Sequence, residues 1–222
     1  MKEHSGLAKM ESSAAKRIAF IVLCVLAAEW AFPLLFGRRP WAFSVPIAVI
    51  LVFGFLSHRA LHERAPELGL RLDNFLYAAR LLGAPMLLAL IALIAIGYGN
   101  GSIGMPRLSA DWHRARTLSW LLWWALLQQY ALQAIVNRQA QIIWGKGARS
   151  ISMVALIFAS LHLPNLPLMF ATFAGGLVWA SVYQRAPNLI ALALSHSIMT
   201  VALIWALPPS MLHGLRVGAG YY

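Results

Sequence analysis

Two adjacent glutamines, Gln128 and Gln129, interrupt one apolar stretch, and two later apolar stretches each carry a histidine, His162 and His196. An imidazole can take up and return a proton near neutral pH. A glutamine amide can orient a water or donate to an oxyanion, but it cannot act as a base. Polar groups at membrane depth are costly, so residues kept there are functional-site candidates by default. Any proton transfer in this set falls to His162 or His196, with the amides as holders of water or of developing negative charge.

The elements that carry these residues read as membrane helices. The chain has 222 residues, 60% hydrophobic and only 11% charged, against about 25% charged in ordinary soluble domains. Its mean hydropathy is +0.69. The expected fold is an all-α polytopic membrane bundle of about seven transmembrane helices. The spans are Ile18–Phe36, Trp41–Leu56, Leu82–Tyr98, Thr117–Val136, Ile151–His162, Pro167–Tyr183 and Leu189–Leu207. They divide the chain into an N-terminal segment (1–16), a transmembrane bundle (17–207) and a polar C-terminal tail (208–222).

At 1.5 Å per residue, Gln128 lies about 16 Å into the fourth span and His162 about 16 Å into the fifth. His196 lies about 10 Å into the seventh. In a hydrocarbon core of about 30 Å, three helices thus offer polar groups to one depth. Gln129 and Gln133 are four apart and share a helix face, while Gln128 points about 100° away from Gln129. The competing reading is that these amides only join helices by hydrogen bonds.

Loop charge sets an orientation. With the N-terminus inside, twelve Lys and Arg lie in inner segments and six in outer ones, which favours a cytoplasmic N-terminus. The net charge of +11 is spread between apolar segments rather than gathered in a patch, which argues against nucleic acid and for lipid headgroups as partners. The single cysteine, Cys24, excludes an intramolecular disulfide and a cysteine zinc cluster. The N-terminus lacks a clear secretory cleavage site, and the first span is expected to be retained. Ser150 and Asn188 are expected as N-caps of the fifth and seventh spans. Residues 58–80 are expected to be helical, broken near Pro66 and Gly69, as a surface helix or a gate over a membrane site. Ala171, Gly175, Gly176 and Ala180 are spaced for close helix approach. Pro164 and Pro167 limit regular helix after His162.

The order of these features resembles the CAAX protease and bacteriocin-processing (CPBP, or Abi) family of glutamate-dependent intramembrane endopeptidases. The resemblance covers roughly residues 117–207. The family's two glutamates fall on Gln128 and Gln129 and its arginine on Gln133. Its second motif matches Phe158-Ala159-Ser160-Leu161-His162, followed by Leu163-Pro164-Asn165, and its third keeps His196, with Thr200 in place of Asn or Asp. The resemblance implies catalytic roles for His162, His196, Gln128 and Gln129. It implies supporting or substrate-binding roles for Gln133, Phe158, Asn165 and Thr200. It also implies no cofactor, a membrane-embedded or lipidated peptide or protein as substrate, and a bacterial inner-membrane location. Two acids and a base have become three neutral amides, so no stranded charge is left buried.

Three functions compete on this reading. The first is an intramembrane endopeptidase with histidine-centred water activation. The second is a catalytically inactive scaffold that binds a transmembrane or lipidated peptide, as a chaperone or immunity factor would. The third is a bis-histidine haem or metal site, disfavoured because the late spans contain no carboxylate.

Overall fold

A computed structural model of the protein describes residues 2–37, 39–103 and 112–222. Among these, every regular element is a helix. Four helical segments are long and apolar enough to cross a membrane: Ala8–Phe36, Phe75–Gly99, Leu166–Arg185 and Leu189–Ala206. Two shorter apolar helices, Ser44–Ala60 and Ala148–Ser160, accompany them. Large apolar side chains are exposed along the bundle, including Leu34, Leu88 and Phe170 at 72%, 69% and 66%. So much exposed apolar surface suits contact with lipid rather than water.

Helix α1 (Lys2–Leu26) continues through a π turn (Ala27–Ala31) into α2 (Phe32–Phe36). The π turn has a local cause. Pro33 has no N–H to give the Glu29 carbonyl four residues back, and its ring crowds that carbonyl. The backbone widens, and the Phe32 N–H bonds the Ala27 carbonyl instead. Gly37, at φ 71°, ends the helix.

Helix α3 (Pro40–Ala60) opens on a proline, which suits the first helical turn. Residues 61–74 are then turns and irregular backbone rather than the expected helix. The reason is tertiary. Their backbone groups are spent on the junction between later helices. Gly69 O accepts from Leu189 N at 2.8 Å, Leu68 O from the Tyr183 hydroxyl at 3.0 Å, and Arg71 O from Asn188 Nδ2 at 2.8 Å. Glu63 adds an ion pair to Arg138 and a 2.7 Å contact to His58 Nδ1. Next to it, Arg71 pairs with Asp73 and holds that exposed carboxyl below the usual carboxylate range. The segment is a clasp on one end of the bundle, and none of its residues lines the cavity described below. Gly69 sits at φ 92°, where a Cβ would come within 3.0 Å of Asn188 N. Gly69→Ala is expected to cost roughly 1–3 kcal/mol, readable as a lowered unfolding midpoint in detergent; an unchanged midpoint would show that the clasp can shift freely.

Helix α4 (Phe75–Gly99) leads to α5 (Trp112–Gln129), which passes through an eight-residue π segment (Tyr130–Asn137) into α6 (Arg138–Trp144). Helix α7 (Ala148–Ser160) packs on α8 (Leu166–Arg185). A Cβ on Gly176 would lie 3.0 Å from Ala155 Cα, so the small residue permits the close approach. Ser150 lies inside α7 and donates to the Gly147 carbonyl, and Gly147 occupies the cap position without a side-chain cap, contrary to expectation. Asn188 does cap α9 (Leu189–Ala206), accepting from Ala191 N at 2.8 Å.

The C-terminal tail folds back on the bundle through α10 (Pro209–Leu212) and two short 3-10 turns. Asn165 Nδ2 donates to Leu212 O at 2.8 Å and to Arg216 O at 3.1 Å, and Gly218 N bonds Leu163 O at 2.9 Å. A Cβ on Gly218 would strike the Glu29 carbonyl that Pro33 has displaced, so only glycine fits between α8's entry turn and the first π turn.

Candidate active site

One cavity of about 860 Å³ opens between the helices. Its walls are mainly apolar, with Val25, Met86, Leu93, Trp124 and Met199 among them. Gln128, Phe158, His162, His196 and Thr200 all line it, so five of the eight residues singled out in the sequence converge on one space. Both π segments border it, through Ala28 and Glu29 and through Ala131, Leu132 and Val136. Widened turns of this kind are frequent at functional sites.

Phe158 is the hub. It meets His162 edge-on at 4.8 Å between ring centroids and His196 at 6.0 Å, with interplanar angles of 81° and 90°. Helix α7 ends at Ser160, two residues short of the expected span end at His162, and the turn that follows carries His162. In that turn His162 Nδ1 lies 2.7 Å from the Phe158 carbonyl. A carbonyl oxygen only accepts, so Nδ1 carries the proton. In the neutral ring Nε2 is then the lone-pair nitrogen. His196 is held differently. Trp179 packs against it with ring centroids 4.4 Å apart and a 30° tilt, and is itself fixed by a 3.0 Å bond from its indole N–H to Ser195 Oγ. Gln129 Nε2 lies 3.2 Å from His196 Nδ1. Thr200 Oγ1 donates to the His196 backbone carbonyl at 2.9 Å.

The two adjacent glutamines therefore do different things. Gln128 lines the cavity, whereas Gln129 is fully buried and reaches His196. Gln133 does not line the cavity. It is fully buried and accepts from Asn137 Nδ2 at 2.7 Å. Asn165 also stays out of the cavity. Its oxygen caps α8 at Leu168 N (3.2 Å) and its nitrogen holds the tail, so its amide is fully used in architecture.

Glu29 escaped the sequence reading, although a lone acid in an apolar run is the signal that marked the glutamines. It is the only carboxylate lining the cavity among the described residues, and Arg216 is the only lysine or arginine. No hydrogen bond or ion pair among the described residues engages the Glu29 side chain. Gly218 touches the Glu29 backbone and bonds Leu163, next to His162, which sets the acid at the His162 end of the cavity. No group of three or more His, Cys, Asp or Glu able to hold a metal converges among the described residues. Glu29→Gln replaces this unpaired carboxyl with a neutral amide of almost the same shape. It is expected to raise stability by roughly 1 kcal/mol, or about 2–4 °C in melting temperature. A lower melting temperature would mean that the carboxylate has a stabilising partner.

No protein-family model, curated protein or solved structure matches the chain.

Proposed function

We propose that the chain is a seven-span intramembrane endopeptidase resembling the CPBP family, with a histidine in place of the usual glutamate base. The observation that carries this reading is the apolar cavity into which His162, His196 and Gln128 converge, with the His162 proton committed to the Phe158 carbonyl. The hydrophobic walls suit a membrane-embedded or lipidated peptide as substrate.

In the proposed reaction a water oxygen attacks the scissile carbonyl carbon. Its proton goes to His162 Nε2, and the Nδ1–H bond to Phe158 O holds the ring through the imidazolium state. The Gln128 amide donates to the developing oxyanion. As the C–N bond breaks, the imidazolium returns the proton to the leaving nitrogen. Glu29, at the same end of the cavity, favours the transient positive charge.

Alternating span direction is supported by which segments meet. Residues 61–74 contact the turn before α9, and the tail contacts the turn before α8. Each pair falls on one side in the sequence-based topology. The excess of basic residues in the first group favours a cytoplasmic N-terminus in a bacterial inner membrane.

The test is the wild-type protein in lipid vesicles with two internally quenched probes, a farnesylated peptide and a transmembrane-helix peptide. Cleavage of either supports the endopeptidase. Saturable binding of both without cleavage overturns it in favour of an inactive peptide-binding scaffold, a reading favoured by the three neutral amides at the motif positions.

A further inference from the structure

We propose that one buried water joins Gln129 to Gln133 and completes a hydrogen-bond relay that locks His196 as the Nε2–H tautomer, a donor facing the cavity. The catalytic meaning of that donor, a second hand on the oxyanion, rests on the endopeptidase reading; the relay itself does not.

The relay can be read from its far end, where backbone groups fix the direction of the Gln184 and Asn137 amides and, through Asn137, that of Gln133. Gly147 N–H donates to Gln184 Oε1 at 2.9 Å, so Gln184 Nε2 is its donor end, and it donates to Ser150 Oγ and to Asn137 Oδ1, both at 2.9 Å. Asn137 Oδ1 therefore accepts, and it accepts again from Gln141 Nε2 at 3.1 Å. Asn137 Nδ2 must then donate. It does so to the Ala180 carbonyl at 3.3 Å, which independently demands a donor, and to Gln133 Oε1 at 2.7 Å. Two backbone groups, one that can only give and one that can only accept, thus impose the same polarity on the chain of amides.

That polarity leaves Gln133 Nε2 as a buried donor without a protein partner, and Gln129 Oε1 is a buried acceptor without one. Buried polar groups are almost always satisfied, so two such atoms on neighbouring fully buried side chains call for an explanation. The residues are four apart along one helix wall. A water accepts from one and donates to the other, and buried waters are commonly held by such pairs. With the water in place, Gln129 turns its Nε2 toward His196 Nδ1, the 3.2 Å contact observed. His196 Nδ1 is then an acceptor, and the ring proton sits on Nε2. Without the water, the Gln129 amide is free to reverse, and a proton on Nδ1 becomes equally compatible with the contact. Gln133 and Asn137 are accordingly positioning residues. They set the role of His196 opposite to that of His162, whose Nδ1 carries the proton.

The test is NMR of the full-length protein in bilayers with ring-¹⁵N histidine, at a pH where the imidazoles are neutral. His196→Ala assigns the signals. The expected result is one dominant His196 tautomer protonated at Nε2, with a water cross-peak to the Gln133 side-chain amide. Gln133→Met keeps the volume but removes the donor, and it is expected to give a mixture of tautomers or a switch to Nδ1–H. A merely structural role would change the melting temperature and leave the tautomer alone. His196 protonated at Nδ1 in the wild type would overturn the relay, as would an unchanged ratio in folded Gln133→Met. If Gln133→Met does not fold, the wild-type water cross-peak decides by itself, and its absence overturns the proposal. No substrate enters this measurement, so a relay found intact in a protein that cleaves neither probe counts against the endopeptidase alone.

Discussion

His162→Asn is expected to lower cleavage of either quenched probe by about 10²–10⁴-fold, the usual worth of a positioned general base. The substitution is chosen to separate chemistry from folding. An asparagine amide still offers an N–H to the Phe158 carbonyl, which His162 Nδ1 reaches at 2.7 Å. It offers no nitrogen able to take a proton from water. The loss of fold stability should be small, on the order of one hydrogen bond, or about 1 kcal/mol. His162→Ala should lose a similar amount of activity and more stability, since the edge-on contact with Phe158 goes as well. Turnover within threefold of wild type in folded His162→Asn would remove His162 as the base.

The second large effect is on stability. Gln133→Arg supplies the charge that the family resemblance implies at this position, but it places a guanidinium at a fully buried site among neutral amides. A buried charge without a partner typically costs about 3–5 kcal/mol, which should be visible as a strongly lowered unfolding midpoint. Adding Gln129→Glu supplies an opposite charge four residues away on the same helix wall. The double variant is expected to recover part of the loss, so a double-mutant cycle should show favourable coupling. Gln133→Arg as stable as wild type would mean that this position opens to water, and it would count against a closed amide relay. Adding Gln128→Glu to the double variant is expected to give or raise peptidase activity in the vesicle assay.

These two expectations rest on residues that sequence spacing marked, but their roles divide in a way spacing could not foresee. Gln128 and Gln129 are neighbours of the same type, and only packing sets one along the cavity and the other against His196. The polar stripe Gln129, Gln133, Asn137 and Gln141 is visible at four-residue intervals in QQYALQAIVNRQAQ. Its partners Gln184 and Ser150 are distant in sequence, so the network they close was not readable there. Glu29 was readable, as an acid in an apolar run. Its place near His162 depends on Pro33 opening the helix and on Gly218 filling the gap from the far end of the chain.

Local signals held where one side chain and its own backbone decide the outcome. Asn188 caps α9 because its oxygen and the free Ala191 N–H are three residues apart. They failed where distant groups compete. Gln184 engages both the Ser150 hydroxyl and the Gly147 N–H, with Ser150 inside α7, and residues 61–74 give up helix because the α8–α9 junction takes their carbonyls.

By itself, the amino-acid order determined that the chain is helical and apolar enough for a membrane, and that amides and two histidines interrupt its apolar stretches. Hydrophobic transfer and the need to satisfy backbone groups are properties of each segment, so composition and period suffice. Tertiary structure alone decided which face of each helix meets the cavity and which nitrogen of His162 holds its proton. It also decided that Glu29, from the first π turn, lines the same cavity as the late-chain histidines. Those outcomes depend on hydrogen bonds and contacts between residues tens to hundreds of positions apart, and the sense of each bond is set by backbone groups that look alike in any sequence.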